Sequence, residues 1–142
     1  MMPEKGSTDP PSHQRELQRW WKEHSELDRL VEVLTETMSG GRIAAARAAL
    51  EDLFEAMEAH LSVEEDVYFP LVEKLSHAHI PLLREARLAH LELRGKLEEM
   101  RDHLSQGELD AARRALVALL DRFREHEQME ARLIAELEPA SA

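Results

Sequence analysis

The stretch Met57-Glu58-Ala59-His60-Leu61-Ser62-Val63-Glu64 is answered 66 positions later by Phe123-Arg124-Glu125-His126-Glu127-Gln128-Met129-Glu130. Two residues coincide in that window, His60 with His126 and Glu64 with Glu130, and both interrupt an apolar stripe. Around the first window the stripe runs Ile43, Ala46, Leu50, Leu53, Met57, His60, Glu64, Val67 and Leu71; around the second it runs Leu109, Ala112, Leu116, Leu119, Phe123, His126, Glu130, Leu133 and Leu137. Alternating steps of three and four put each list on one face of a helix. Two further stripes have the same step: Leu17, Trp20, His24, Leu27, Val31, Leu34, Met38, and Leu83, Ala86, His90, Leu93, Leu97, Met100, Leu104.

Punctuation falls between these stripes, at Gly40 and Gly41, at the His/Pro stretch from Ser76 to Pro81, and at Gly107. Four helices are therefore predicted, at roughly 14–39, 42–75, 80–105 and 108–138, with Pro139 beyond the last. Short connections between long helices make neighbours antiparallel, so the predicted fold is all-α, an up-down-up-down four-helix bundle. Pro70 lies inside the second helix and should kink or end it locally. Residues 1–13, with Pro3, Gly6, Pro10 and Pro11, read as a disordered lead-in; 14–138 form the bundle and 139–142 a short tail. The bundle is a duplication. Shifted by 66, residues 20–71 align with 86–137 without a gap and share 15 identities, among them Gly41/Gly107 and Arg47/Arg113, so two helical hairpins of common design make one domain.

Composition removes several function classes. Hydrophobic residues are 43% of 142, enough for a core in a chain this acidic. With no cysteine, disulfides, thiolate metal sites and thiol catalysis are excluded, and a metal would have to be bound through N and O. Eighteen basic against 29 acidic residues give a net charge of −11 with no basic run, which opposes nucleic-acid and anionic-membrane partners. No signal-peptide core and no membrane span is legible, so a cytoplasmic protein is expected.

The strongly polar residues on the four stripes are His24, His60, Glu64, His90, His126 and Glu130. In each hairpin 36 residues separate the lone histidine from the histidine of the His-x-x-x-Glu pair. At ~1.5 Å per residue, His24 lies about 21 Å below the turn at residue 38 and His60 about 26 Å from residue 43, so all six should meet in one slab of the interior. Four imidazoles and two carboxylates suit borderline divalent metals and can hold two of them with the carboxylates bridging. Without a cation, mutual His–Glu pairing would have to offset a desolvation cost of several kcal/mol per ion. His-Glu-x-x-His, the zinc-hydrolase motif, is absent, and no histidine has Glu three residues before it, as a ferritin-like di-iron site requires. A His-rich, carboxylate-poor site points to iron and small diatomic ligands. His13, His77, His79 and His103 lie off the stripes. Core packing is the expected role of Trp20, and of Tyr68, one turn past Glu64, with a donor or redox role for Tyr68 as the alternative; Glu65 and Glu127 are expected to support the site or face solvent.

The order single His, His-x-x-x-Glu, single His, His-x-x-x-Glu resembles the hemerythrin-like family, the HHE cation-binding domains, over about residues 14–138. The resemblance implies a non-haem di-iron centre on His24, His60, His90 and His126, with Glu64 and Glu130 as bridges and an oxo or hydroxo bridge and solvent completing the irons. Zinc or manganese could substitute. Oxygen-carrying members have a fifth histidine one turn from the third-helix ligand and an Asp five residues after the last histidine. Here the flanking positions are Ala86 and Arg94, and Glu130 follows His126 by four. The four-His, two-Glu set is similar instead to iron–sulfur-repair proteins of the same superfamily, without their cysteine. The implied function is binding or sensing of O2 or NO, or handling of iron or peroxide, more a binding protein than a dedicated enzyme. The alternatives are a di-iron oxidase or peroxidase, an iron–sulfur-repair-type stress protein, and a metal-stabilised bundle that binds a protein partner.

Overall fold

The three-and-four spacing becomes helix along almost all of residues 12–137, which the computed structural model describes. In order these are α1 (Ser12–Ser39), α2 (Ile43–Val63), a π-helical turn (Glu64–Tyr68), α3 (Phe69–Leu75), a 3-10 turn (His77–His79), α4 (Ile80–Ser105) and α5 (Leu109–Leu137). There is no strand among the described residues. The expected lead-in and tail lie outside the described residues, apart from Ser12 and His13, which already belong to α1.

α1 pairs with α2 and α4 with α5 as antiparallel hairpins, and the hairpins join through α2–α4 and α1–α5 contacts, closing a four-helix bundle. The identities of the repeat explain how the ends are finished. Gly41 and Gly107 both have positive φ, 69° and 74°, and both end a helix with paired backbone bonds, Arg42 N–H to Thr37 O and Glu108 N–H to His103 O. A side chain would strain that left-handed backbone, which is why glycine stands at both corners. Arg47 donates to the carbonyls of Leu104 and Ser105 at the end of α4, and Arg113 donates to Met38 O at the end of α1. Each hairpin thus caps the other's open carbonyls with a cation, where the helix dipole favours one.

All stripe positions of α1 and α4 are buried. The second helical rod departs from the expected stripe after Glu64: Val67 is exposed and Leu71 half-buried, and Tyr68, Phe69 and Val72 fill the core instead. The π turn is the reason. Phe69 N–H reaches back five residues to Glu64 O, and the extra residue in that turn moves every later side chain forward by one position. It lies just ahead of Pro70, which has no N–H and whose ring would crowd the carbonyl of Asp66 in a regular helix. The proline expected to kink the rod is accommodated by widening it.

The core is thereby split in two. One apolar cluster, with Leu34, Leu53, Leu97 and Leu119, fills the end near the hairpin turns. The other gathers Leu17, Trp20, Tyr68, Phe69, Val72, Leu83 and Leu133 at the opposite end. The polar slab lies between them.

Candidate metal centre

All six stripe-breaking residues meet in that slab, none more than 5% exposed: His24, His60, Glu64, His90, His126 and Glu130. α1 carries His24, α2 His60, α4 His90, and α5 both His126 and Glu130; Glu64 opens the π turn. Two overlapping groups form, His24–His60–Glu64–Glu130 and Glu64–His90–His126–Glu130, each with ligand atoms within 4.8 Å of one another. The two carboxylates belong to both groups. Glu64 places Oε1 at 2.7 Å from His90 Nε2 and 3.2 Å from His126 Nε2, and Oε2 at 3.0 Å from His60 Nε2. Glu130 places Oε1 at 2.9 Å from His24 Nε2 and Oε2 at 2.7 Å from His126 Nε2.

Two of these approaches are close without being hydrogen bonds, His60 Nε2 to Glu64 Oε2 and His126 Nε2 to Glu130 Oε2. His60 Nε2 and Glu130 Oε2 have no hydrogen-bond partner among the described residues despite their near neighbours, and His90 Nε2 and His126 Nε2 lie 3.1 Å apart. The six side chains thus bring ring nitrogens and carboxylate oxygens together in two overlapping groups. The donor set, imidazole nitrogen and carboxylate oxygen, suits a borderline divalent metal.

The chain matches the hemerythrin HHE cation binding domain over residues 13–138. It belongs to that family. Searches of curated proteins and of solved structures give no match. In this hemerythrin-type domain a buried His/Glu group suited to metal therefore stands where family membership and geometry agree.

Around the six lies a set of groups that the stripe pattern does not reveal. His60 Nδ1 donates to Glu23 Oε1 at 3.1 Å, and Tyr68 Oη donates to Glu23 Oε2 at 2.8 Å. His90 Nδ1 donates to Glu65 Oε2 at 2.6 Å, and Arg94 forks onto Glu65 and Glu58. Trp20 Nε1 donates to Glu64 Oε2 at 2.6 Å, and its ring stacks on Tyr68 at 5.0 Å. A carboxylate on Nδ1 fixes the tautomer that leaves Nε2 free for a metal. Tyr68 therefore both packs and donates, Glu65 supports His90, and Trp20 adds a hydrogen bond to its packing role. Glu23 and the anchoring part of Arg94 were missed because they break no stripe. Their signal was in the repeat: at the 66-residue shift Trp20 faces Ala86, Glu23 faces Ala89, Glu65 faces Ala131 and Tyr68 faces Ile134.

Within the slab the charges are held by mutual pairing. Burial pushes the Glu64 carboxyl up, but contacts with Glu130, His126, His60 and His90 outweigh it and hold the group well below the usual carboxylate range. Burial and then the Glu64 charge raise Glu130. Burial pushes His60 and His126 down, yet their carboxylate partners, Glu23 and Glu64 for one and Glu130 and Glu64 for the other, raise each to about 10. Glu127 is raised to about 7 by burial and by Asp28. A metal that takes the imidazole nitrogens must displace those histidine protons. Of the off-stripe histidines, His77 is exposed, while His79 and His103 are half-buried and paired with Glu136 and Glu108; the side chain of His13 lies outside the described residues.

Proposed function

We propose that this domain is a non-haem di-iron protein that binds or senses O2 or NO, or handles iron or peroxide. The observation that carries the reading is the sharing of both carboxylates between two histidine pairs. One metal would be held by His24 and His60, the other by His90 and His126, with Glu64 and Glu130 common to both. Iron held there would supply redox chemistry toward small ligands. The chain's residues do the rest: two apolar clusters exclude bulk water from above and below, and Glu23 and Glu65 orient His60 and His90. The donor set also accommodates zinc or manganese. Iron fits the reading through its chemistry with small diatomic ligands.

A second reading, a di-iron oxidase or peroxidase, draws support from one observation. Trp20 and Tyr68, both oxidisable, are stacked, and Trp20 is hydrogen-bonded directly to Glu64. Among the described residues no helix is long and apolar enough to cross a membrane. A cytoplasmic location belongs to the same proposal, as does a small-molecule rather than nucleic-acid partner, which the net charge of −11 supports.

The test exposes anaerobically reduced, iron-loaded protein to O2, NO or peroxide and follows its absorption. A spectral change with O2 or NO that reverses on degassing supports binding or sensing. Repeated turnover with consumption of peroxide supports the enzyme. Loaded protein indifferent to all three would contradict both.

A further inference from the structure

The six inner residues obey the repeat, but the groups behind them do not. His60 and His90 each have a carboxylate on Nδ1, whereas Nδ1 of His24 and of His126, equally buried, has no partner among the described residues. The repeat states what is missing. Glu23 serves His60, and its counterpart beside His126 is Ala89; Glu65 serves His90, and its counterpart beside His24 is Ala131. Even the outer cation is inverted, since Arg94, which clamps Glu65, corresponds to Asp28.

Where each carboxylate is missing there is a cleft. Ala89 and Ala86 line a cleft of about 200 Å³ between α4 and α5 that reaches His126, and Ala131 lines one of about 250 Å³ between α1 and α5 that reaches His24. The first has more acids than bases at its walls, Glu85, Glu92 and Glu125 against Arg122, and the second sets Asp28 and Glu127 against Arg124. A third cleft, of about 290 Å³, reaches His60, but there Glu23 lies in the lining and holds the imidazole. His90 is additionally stacked on Phe69, ring centres 5.2 Å apart.

We propose that the clefts over His24 and His126 are two metal ports, and that these two histidines turn aside when a metal enters or leaves while His60 and His90 stay fixed. The inference rests on the metal-binding reading above. Each metal would then have one anchored and one yielding imidazole, and a cleft leading to the yielding one. An unpinned ligand can rotate without breaking a second hydrogen bond, whereas a pinned one must give up its carboxylate as well. Ala89 and Ala131 are positioning residues by omission: their small side chains leave both the space and the freedom.

Release kinetics test this directly. The full chain is loaded anaerobically with ferrous iron, its iron content is measured, and loss to a chromogenic ferrous chelator is followed. The double variant Asp28→Arg/Ala131→Glu recreates over His24 the carboxylate–guanidinium pair that holds His90. It should slow one of the two irons by about tenfold or more and leave the other at the parent rate, giving two separated phases. Glu65→Ala, which needs no new side chain to be accommodated, should instead hasten the iron on the His90–His126 pair by about tenfold. Two irons bound, with both variants releasing them as the parent does or with both phases shifted equally, would overturn the ports and leave the di-iron reading standing. A chain that takes up no iron would overturn that reading, and the ports with it.

Discussion

The two hairpins share a plan and differ in what they put behind it. Each contributes a lone histidine, a His-x-x-x-Glu pair, a glycine corner and an arginine that caps the other hairpin. Only the first surrounds these with Trp20, Glu23, Glu65 and Tyr68, where the second has Ala86, Ala89, Ala131 and Ile134. The duplicated part of the sequence encodes the six converging residues; the part that has diverged decides which of the four imidazoles has a carboxylate on Nδ1.

The largest effect should fall equally on both halves. Glu64→Ala and Glu130→Ala each remove a carboxylate common to both histidine pairs, so each should lower metal affinity by more than about a hundredfold and lower the melting temperature of protein purified with metal. His126→Ala should do the same. Metal retention in one carboxylate variant but not the other, by elemental analysis, would break the equivalence of the hairpins at the centre.

Removing metal should expose a pH dependence that also involves both halves. His60 and His126 have folded values near 10, above the usual 6.5, so the stability they contribute is full below about pH 6.5 and is lost as pH rises towards 10. Melting of the metal-free protein should therefore fall across that window, while the metal-bound form, with those protons already displaced, should fall less. Equal slopes in the two forms would show that the histidines are not protonated in the metal-free slab.

Smaller effects separate the halves. Trp20→Phe removes the donor to Glu64 and leaves a smaller ring in the core, and should lower the stability of the metal-free protein by about 2 kcal/mol or more in chemical denaturation. Tyr68→Phe, which frees one oxygen of Glu23, should lower it by about 1 kcal/mol. Neither change has a counterpart in the second hairpin, where Ala86 and Ile134 offer no polar atom. His103→Ala, half-buried and paired with Glu108 away from the centre, should change neither metal content nor melting appreciably.

The bundle and the six converging residues were legible because both are periodic. Helices of three and four steps leave a polar residue on an apolar stripe in plain view, and four such stripes of matched length fix a common depth. The register beyond Glu64 was not legible, because a π turn adds one residue without altering composition, and Tyr68 and Val72 then replace Val67 and Leu71 in the core. The supporting carboxylates were hidden for another reason. Glu23 and Glu65 sit beside the stripes, where an acid in a chain with 29 of them looks like surface, and the geometry across two helices is needed to see that they meet His60 and His90.

We propose that both hairpins together hold two metal ions. It is tested most directly by elemental analysis of protein purified from iron-replete cells, before and after chelation, with melting followed in parallel. Two metal ions per chain, iron predominating, and a lower melting temperature once they are removed is the predicted result. A chain that carries no metal and melts unchanged after chelation would contradict it.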